Sequence, residues 1–191
     1  MFKVRNIAQN ILLRAVRLED APALAASYRR NREHLRPWEP ARSEEFFTEQ
    51  HQRQDIARQL LAAQAGEGLP LVLTSDERIV GRFNLSGVIR GPFQSAGLGY
   101  WIDRDHLGNG LASEAVRAIV EECRDTLELH RLEASTLVRN VASQRVLLRN
   151  GFQQIGMAPR YLQIAGEWQD HNLYQVILHD ETPWRFDATL A

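Results

Sequence analysis

The stretch Tyr100-Trp101-Ile102-Asp103-Arg104-Asp105-His106-Leu107-Gly108-Asn109-Gly110-Leu111-Ala112-Ser113-Glu114-Ala115 decides how the chain is read. Tyr100 to Ile102 are aromatic and β-branched, the composition of a buried strand. Gly108 and Gly110 permit a loop with positive φ whose backbone can approach a ligand closely. Beyond them Leu111, Ala115, Val116, Ile119, Val120, Cys123 and Leu127 fall on one helical stripe. Strand, glycine loop and helix follow in that order. The first-turn N–H groups of such a helix have no partner within it, and the helix dipole adds to their pull on an anion. A phosphate group suits that position best. A Gly-x-Gly pair alone is weak, since most such loops are connections. No Gly-Lys-Ser/Thr follows, which excludes a Walker loop, and Ser113 occupies the third-glycine position of the dinucleotide fingerprint.

Working outward, Ile11 to Val16 reads as the first strand, and Glu19-Asp20 opens a helix to about Arg32, with Arg29, Arg30 and Arg32 complementing its C-terminal dipole. Leu35-Arg36-Pro37-Trp38-Glu39-Pro40 cannot stay helical, because two prolines bracket the tryptophan. Trp38 there either tucks into the core or forms one wall of a substrate cleft. A long polar helix is expected from Glu44 to about Ala65. Leu69–Thr74 and Ile79–Ser86 form an antiparallel pair joined by the turn Ser75–Arg78. Ser95–Ile102 is the next strand, and Gly97 and Gly99 within it mark a bulge or the close approach of a ligand.

After the central helix, His130–Val138 is a strand expected to run parallel to Ser95–Ile102, because a helix crosses between them. Asn140 to Asn150 is a short helix closed by Gly151, with Asn140 a favoured N-cap. Phe152–Ile155 is a brief strand, and Tyr161–Ala165 with Leu173–His179 a closing hairpin joined by Gly166–Asp170. One domain over 1–180 with a C-terminal tail at 181–191 is expected.

Composition narrows the function. The 191 residues, 44% hydrophobic and 25% charged, suit one soluble mixed α/β domain. The formal net charge of -1 gives no electrostatic case for direct nucleic-acid binding. The single cysteine, Cys123, excludes a disulfide framework and lies on the apolar stripe. No apolar run approaches the ~20 residues of a membrane span, and Met1 to Asn10 holds no signal-peptide core, so a cytoplasmic location without membrane contact is expected. The histidines show no metal-binding spacing, and no metal is expected.

This order of elements, with the loop in this place, resembles the GNAT N-acetyltransferases, whose loop Gln/Arg-x-x-Gly-x-Gly/Ala binds the pyrophosphate of acetyl-CoA. Leu107-Gly108-Asn109-Gly110-Leu111-Ala112 matches it, with Leu107 where the family has Gln or Arg. Asn31–Pro40 resembles the arginine-proline-tryptophan stretch of the RimJ/RimL branch, and Phe83–Phe93, Leu98–Tyr100 and Tyr161–His171 resemble its RimJ type. The likeness runs from about Ile11 to His179.

The resemblance implies a GNAT fold: a mostly antiparallel sheet flanked by helices, with one parallel strand pair splayed around acetyl-CoA. It implies transfer of acetyl to the N-terminal α-amine of a protein, a ribosomal protein in the RimJ type, by direct attack in a ternary complex. Acetylation of a small-molecule amine, and a non-catalytic acyl-CoA-binding module, are the alternatives. For cofactor binding it points to Tyr100, Trp101, Ile102, the loop Leu107–Ser113 (Leu107, Gly108, Asn109, Gly110, Leu111, Ala112, Ser113) and Asn140. Strand side chains alternate, so one of Tyr100 and Trp101 is expected to be core. The tyrosine acid of many relatives is replaced by Leu147, and Ser143 stands where the branch has its proposed proton donor. Glu39 is the candidate base; Trp38, Arg90 and Asp170 are candidates for the substrate side. Monomer and homodimer both remain open, with Trp168 and its hairpin a possible contact.

Overall fold

The computed structural model describes residues 2–179, so the expected tail at 181–191 lies outside the described residues. A single eight-stranded sheet runs β1 (Arg5–Ala8), β2 (Ile11–Ala15), β3 (Gly68–Ser75), β4 (Arg78–Ile89), β5 (Ser95–Ile102), β6 (Arg131–Leu137), with β8 (Glu167–Ile177) beside β6 and β7 (Gln153–Ile164) at the edge. All neighbours are antiparallel except β5 and β6. Among the described residues four α-helices flank the sheet: α1 (Ala21–Leu35), α2 (Glu49–Gln64), α3 (Leu111–Asp125) and α4 (Val141–Arg149). The expected mixed architecture and its one parallel pair are both present.

Each face of the sheet carries its own core, because strand side chains alternate. On one face Leu71, Leu73, Phe83, Leu98 and Ile102 pack against Leu111, Ala115, Ile119 and Cys123 of α3 and Leu147 of α4. On the other, Val72, Ile79 and Trp101 pack against Leu24 and Tyr28 of α1 and Ile56 of α2. Burial of each large apolar side chain contributes about 1.5–3 kcal/mol, so α3, with its continuous buried stripe, is held firmly against the sheet. α2 fully buries only Gln52 and Ile56, with Leu60 half-buried against the same core and Gln59 accepting from the buried Arg82.

Four local differences from the sequence reading have physical causes. β1 was not anticipated; it pairs with β2 around Asn10, whose φ of 61° makes the tight turn. The helix expected from Glu44 begins at Glu49: Glu44–Phe47 is a 3-10 turn, and the extended Thr48 caps α2 by accepting from the His51 N–H at 3.2 Å. β7 is one long strand, from Gln153 to Ile164, rather than two short ones. The closing hairpin turns at Ala165-Gly166 (φ 51° and 89°), with Ile164 opposite Glu167, so Gly166–Asp170 is not a loop and Asp170 and His171 lie within β8.

Candidate active site

The parallel pairing of β5 and β6 covers only Ser95–Gly97 against Arg131–Glu133. Beyond it β5 stays paired to β4 up to Ile102, and β6 to β8 up to Leu137. Each strand therefore has one edge without a strand partner, and a gap opens between them. Unpaired strand-edge amides and carbonyls are strong hydrogen-bonding groups that call for a partner.

Two hydroxyls from different elements meet beside this gap. Tyr100 Oη lies 2.9 Å from Ser143 Oγ, and the Tyr100 hydroxyl also approaches the Ser143 carbonyl at 3.3 Å. The Tyr100 ring stacks on Phe83, with centroids 5.5 Å apart and planes 14° from parallel, which fixes its direction. Burial pushes the Tyr100 hydroxyl up to about 12, against the opposing effect of the Ser143 hydrogen bond, so it stays protonated at neutral pH. With Tyr100 as donor, the proton of Ser143 is free to point elsewhere. Asn140 is the N-cap of α4: its Oδ1 accepts from the Ser143 N–H at 3.1 Å and places the serine in the first turn. Trp101 is the core member of the alternating pair. It is buried on the opposite face, where its Nε1 donates to Tyr28 Oη at 3.2 Å, leaving only its backbone to face the gap.

The glycine loop is anchored from below by a buried carboxylate. Asp103, fully buried at the end of β5, accepts from Arg30 Nε at 2.8 Å, Arg30 Nη2 at 2.5 Å, Asn31 Nδ2 at 2.9 Å and the Asp105 N–H at 2.9 Å. Burial alone would raise its carboxyl, but the bonds from Asn31, Asp105 and Arg30 outweigh that and hold it below the usual carboxylate range. A 3-10 turn at Arg104–His106 leads to the exposed Leu107 and then to Gly108 (φ 78°) and Gly110 (φ 74°). Gly110 caps α3 in the left-handed region with no side-chain hydrogen bond, so the first-turn amides lack a capping acceptor. A Cβ at Gly108 or Gly110 would meet nothing within 4 Å, so the space beside those amides is open. An anion of phosphate size fits there. Ser113 Oγ accepts from Asn150 Nδ2 at 3.3 Å and joins the start of α3 to the end of α4.

On the face of α1, the chain around Trp38 and the hairpin tip enclose a cleft of about 580 Å³. The tip docks through the Ala165 N–H on the Glu39 carbonyl at 3.0 Å. Glu39 lines the cleft with its side chain 19% exposed, 3.8 Å from Arg42. Burial pushes its carboxyl up, with Arg42 pulling the other way. Trp38 is exposed rather than core, under the Arg139 guanidinium at 5.7 Å. A smaller groove of about 330 Å³ runs under the gap, lined by Gly97, Gly99, Glu133, Ser135 and Tyr161. The two glycines thus mark an open approach to β5; the irregularity of this strand pair falls between Ser86 and Ile89 instead.

Two of the expected substrate-side residues also make hydrogen bonds that hold the fold. Arg90 Nη1 donates to the Leu127 carbonyl at the end of α3. Asp170 Oδ1 accepts from the Arg160 N–H at 2.8 Å and pins the irregular turn of β7, where Arg160 has φ 48°. The Arg30–Asn31–Asp103 anchor and the cluster of Arg32, Arg36, Arg42 and Arg139 around the cleft were not foreseen. For the first, an Asp directly after a strand that leads into a glycine loop was the available signal.

Comparison with known proteins fits this geometry. The family model described as "Acetyltransferase (GNAT) domain" matches residues 10–153. The [ribosomal protein uS5]-alanine N-acetyltransferase of Escherichia coli is 34% identical over 185 residues, 96% of this chain and 95% of the relative. The crystal structure of ribosomal-protein-S5-alanine acetyltransferase from Vibrio fischeri superimposes with a TM-score of 0.91 at 31% identity, covering 95% of this chain and all of that one (100%). Mycobacterium smegmatis RimJ in complex with CoA-disulfide gives 0.83 at 31% identity, over 87% and 81%. The chain belongs to the GNAT acetyltransferase family and is an N-acetyltransferase of RimJ-like type, with acetyl-CoA as the family's cofactor.

Proposed function

We propose that this chain transfers the acetyl group of acetyl-CoA to the N-terminal α-amine of a protein. The observation that carries the reading is the gap between β5 and β6, bordered on one face by the Tyr100–Ser143 hydroxyl pair and open on the other to the groove beside Gly97 and Gly99, which we assign to the acceptor. The names of the relatives, alanine N-acetyltransferases of a ribosomal protein, support a protein acceptor.

Acetyl-CoA supplies the thioester acyl group. The amides of Leu111, Ala112 and Ser113 would hold its pyrophosphate, and the free edge of β5 from Leu98 to Ile102 would pair with its peptide-like arm. The acceptor amine, neutral, attacks the thioester carbonyl carbon; the C–N bond forms and the C–S bond breaks. Ser143 Oγ–H donates to the departing sulfur, with Tyr100 behind it in the same hydrogen-bond chain. Glu39, ionised, takes the proton the amine loses, directly or through one water. An α-amine, with a reference pKa of ~8, is partly neutral at physiological pH, whereas lysine at ~10.4 is not, so one modest base suffices.

Thiol release from acetyl-CoA tests this, with a peptide that begins with alanine and the same peptide already acetylated. Release with the first and none with the second is expected. Release with small amines but with neither peptide overturns the protein-acceptor reading.

A further inference from the structure

The cleft beside Glu39 carries an unusual concentration of positive charge for a chain whose net charge is -1. Arg32 and Arg36 reach it from the end of α1, Arg42 from the connection after Pro40, and Arg139 from the residue before the α4 cap. Three of the four are held against aromatic rings: Arg32 over Phe47 at 4.6 Å, Arg42 over Phe46 at 4.4 Å and Arg139 over Trp38 at 5.7 Å. Stacking of this kind fixes a guanidinium's plane and aims its edge, the geometry that suits a carboxylate.

The carboxylates facing them do not consume this charge. Arg32 is forked to Glu44 through both Nη atoms, but that carboxylate is 80% exposed, and Arg36 meets Glu33 at 3.6 Å, so an incoming carboxylate competes with partners that are not fixed by burial. Arg42 faces the half-buried Glu39. Arg139 has no carboxylate partner among the described residues; it donates to the Pro37 carbonyl at 2.9 Å and Gln169 Oε1 at 3.2 Å. The cleft thus has one acid in its wall and guanidinium edges around its mouth.

We infer that this cleft is a specificity subsite in which the four arginines seat acidic side chains carried within the first few residues behind the reacting α-amine. The inference rests on the α-amine reading above and adds a substrate class to it: protein N-termini with Asp or Glu close behind the first residue. An extended chain advances ~3.3–3.6 Å per residue, so an amine seated near Glu39 brings its next few side chains to the mouth. The apolar walls, Tyr28, Leu35, Pro37 and Pro40, suit a peptide backbone better than a nucleic-acid strand, and the chain as a whole provides no positive field for one.

The test compares peptides that begin with alanine and differ only at their third and fourth positions, which are Asp-Glu, Asn-Gln or Lys-Lys. The acidic peptide is expected to exceed the basic one in kcat/KM by at least about fivefold, mainly through KM, with the ratio shrinking at high salt. Arg36→Glu, at an exposed position, is expected to collapse or invert that ratio, and Arg32→Gln to narrow it, with thermal melting confirming that both variants fold. Equal kcat/KM for the three peptides overturns the subsite and leaves the α-amine reading standing. If no peptide is acetylated although acetyl-CoA binds, the α-amine reading fails, and fluorescence anisotropy with the labelled acidic peptide then decides the subsite. Binding weakened by Arg36→Glu supports it, and no binding overturns it. Tighter binding of an oligoribonucleotide through the same arginines overturns it in favour of nucleic acid.

Discussion

Gly99→Ala separates the groove from the scaffold. Gly99 lies in β5 opposite Asn84, its φ is outside the left-handed region, and a Cβ built on it meets nothing within 4 Å. Alanine is therefore unstrained there, and the loss of glycine's freedom in the unfolded chain stabilises by about 0.5–1 kcal/mol. For a domain of this size that raises Tm by about 1–4 °C. The added methyl projects into the groove under the β5–β6 gap. A displacement of the acceptor by about 1 Å costs up to ~100-fold in rate, so kcat/KM for the peptide falls at least about tenfold. The affinity for acetyl-CoA, which meets β5 through its backbone edge rather than its side chains, is retained. Gly81→Ala is the control: its Cβ would stand 3.0 Å from Ile102 Cδ1, 3.1 Å from the Trp101 carbonyl and 3.2 Å from Leu73 Cβ. Overpacking of that kind costs about 1–3 kcal/mol. Differential scanning fluorimetry and steady-state kinetics on both variants read the contrast. Unchanged kinetics in Gly99→Ala, or a loss of stability matching that of Gly81→Ala, refutes the assignment of the groove to the acceptor.

Three further perturbations probe the remaining parts of the site. Ser143→Ala is expected to lower kcat by about 100-fold with acetyl-CoA binding intact, and Tyr100→Phe by less, since the ring and its Phe83 stack remain; unchanged turnover across pH removes Ser143 from the reaction. Glu39 acts only when ionised and its carboxyl is raised, so wild-type rate climbs with pH through that raised value and Glu39→Gln flattens the limb. A raised folded value also means that Glu39's contribution to stability is present at low pH and lost as pH rises through it, a dependence that Glu39→Gln abolishes in thermal melts. Asp103→Ala leaves Arg30 without its carboxylate and is expected to cost about 3 kcal/mol, some 6–12 °C in Tm; because the carboxyl of Asp103 is held low, its contribution is full at neutral pH and fades as pH falls below the usual carboxylate range, where variant and wild type converge.

The glycine loop and α3 were legible because their signals are local: two glycines, an apolar stripe and the strand before them lie within one continuous stretch. The parallel pairing of β5 with β6 followed from chirality and the crossover helix alone. The hairpin turn was hidden because Ala165 takes the left-handed conformation that Asn or Asp usually fills, so Gly166 read as the start of a loop rather than its end. β1 was missed because four residues, Arg5–Ala8, are too short and polar to show an alternation. Arg90 and Asp170 were assigned by position in similar motifs, and their side chains turned out to serve the end of α3 and the kink of β7. The arginine-lined cleft could not be seen in the sequence at all. Its members are spread from Arg32 to Arg139, and Arg139 joins the others through its bond to the Pro37 carbonyl, beside the docked hairpin tip.

The central claim concerns which amine is acetylated. A peptide with an N-terminal alanine and one internal lysine, incubated with acetyl-CoA and the protein and sequenced by tandem mass spectrometry, decides it. The account predicts one acetyl group, on the α-amine. Acetyl on the lysine side chain, with the α-amine free, contradicts it.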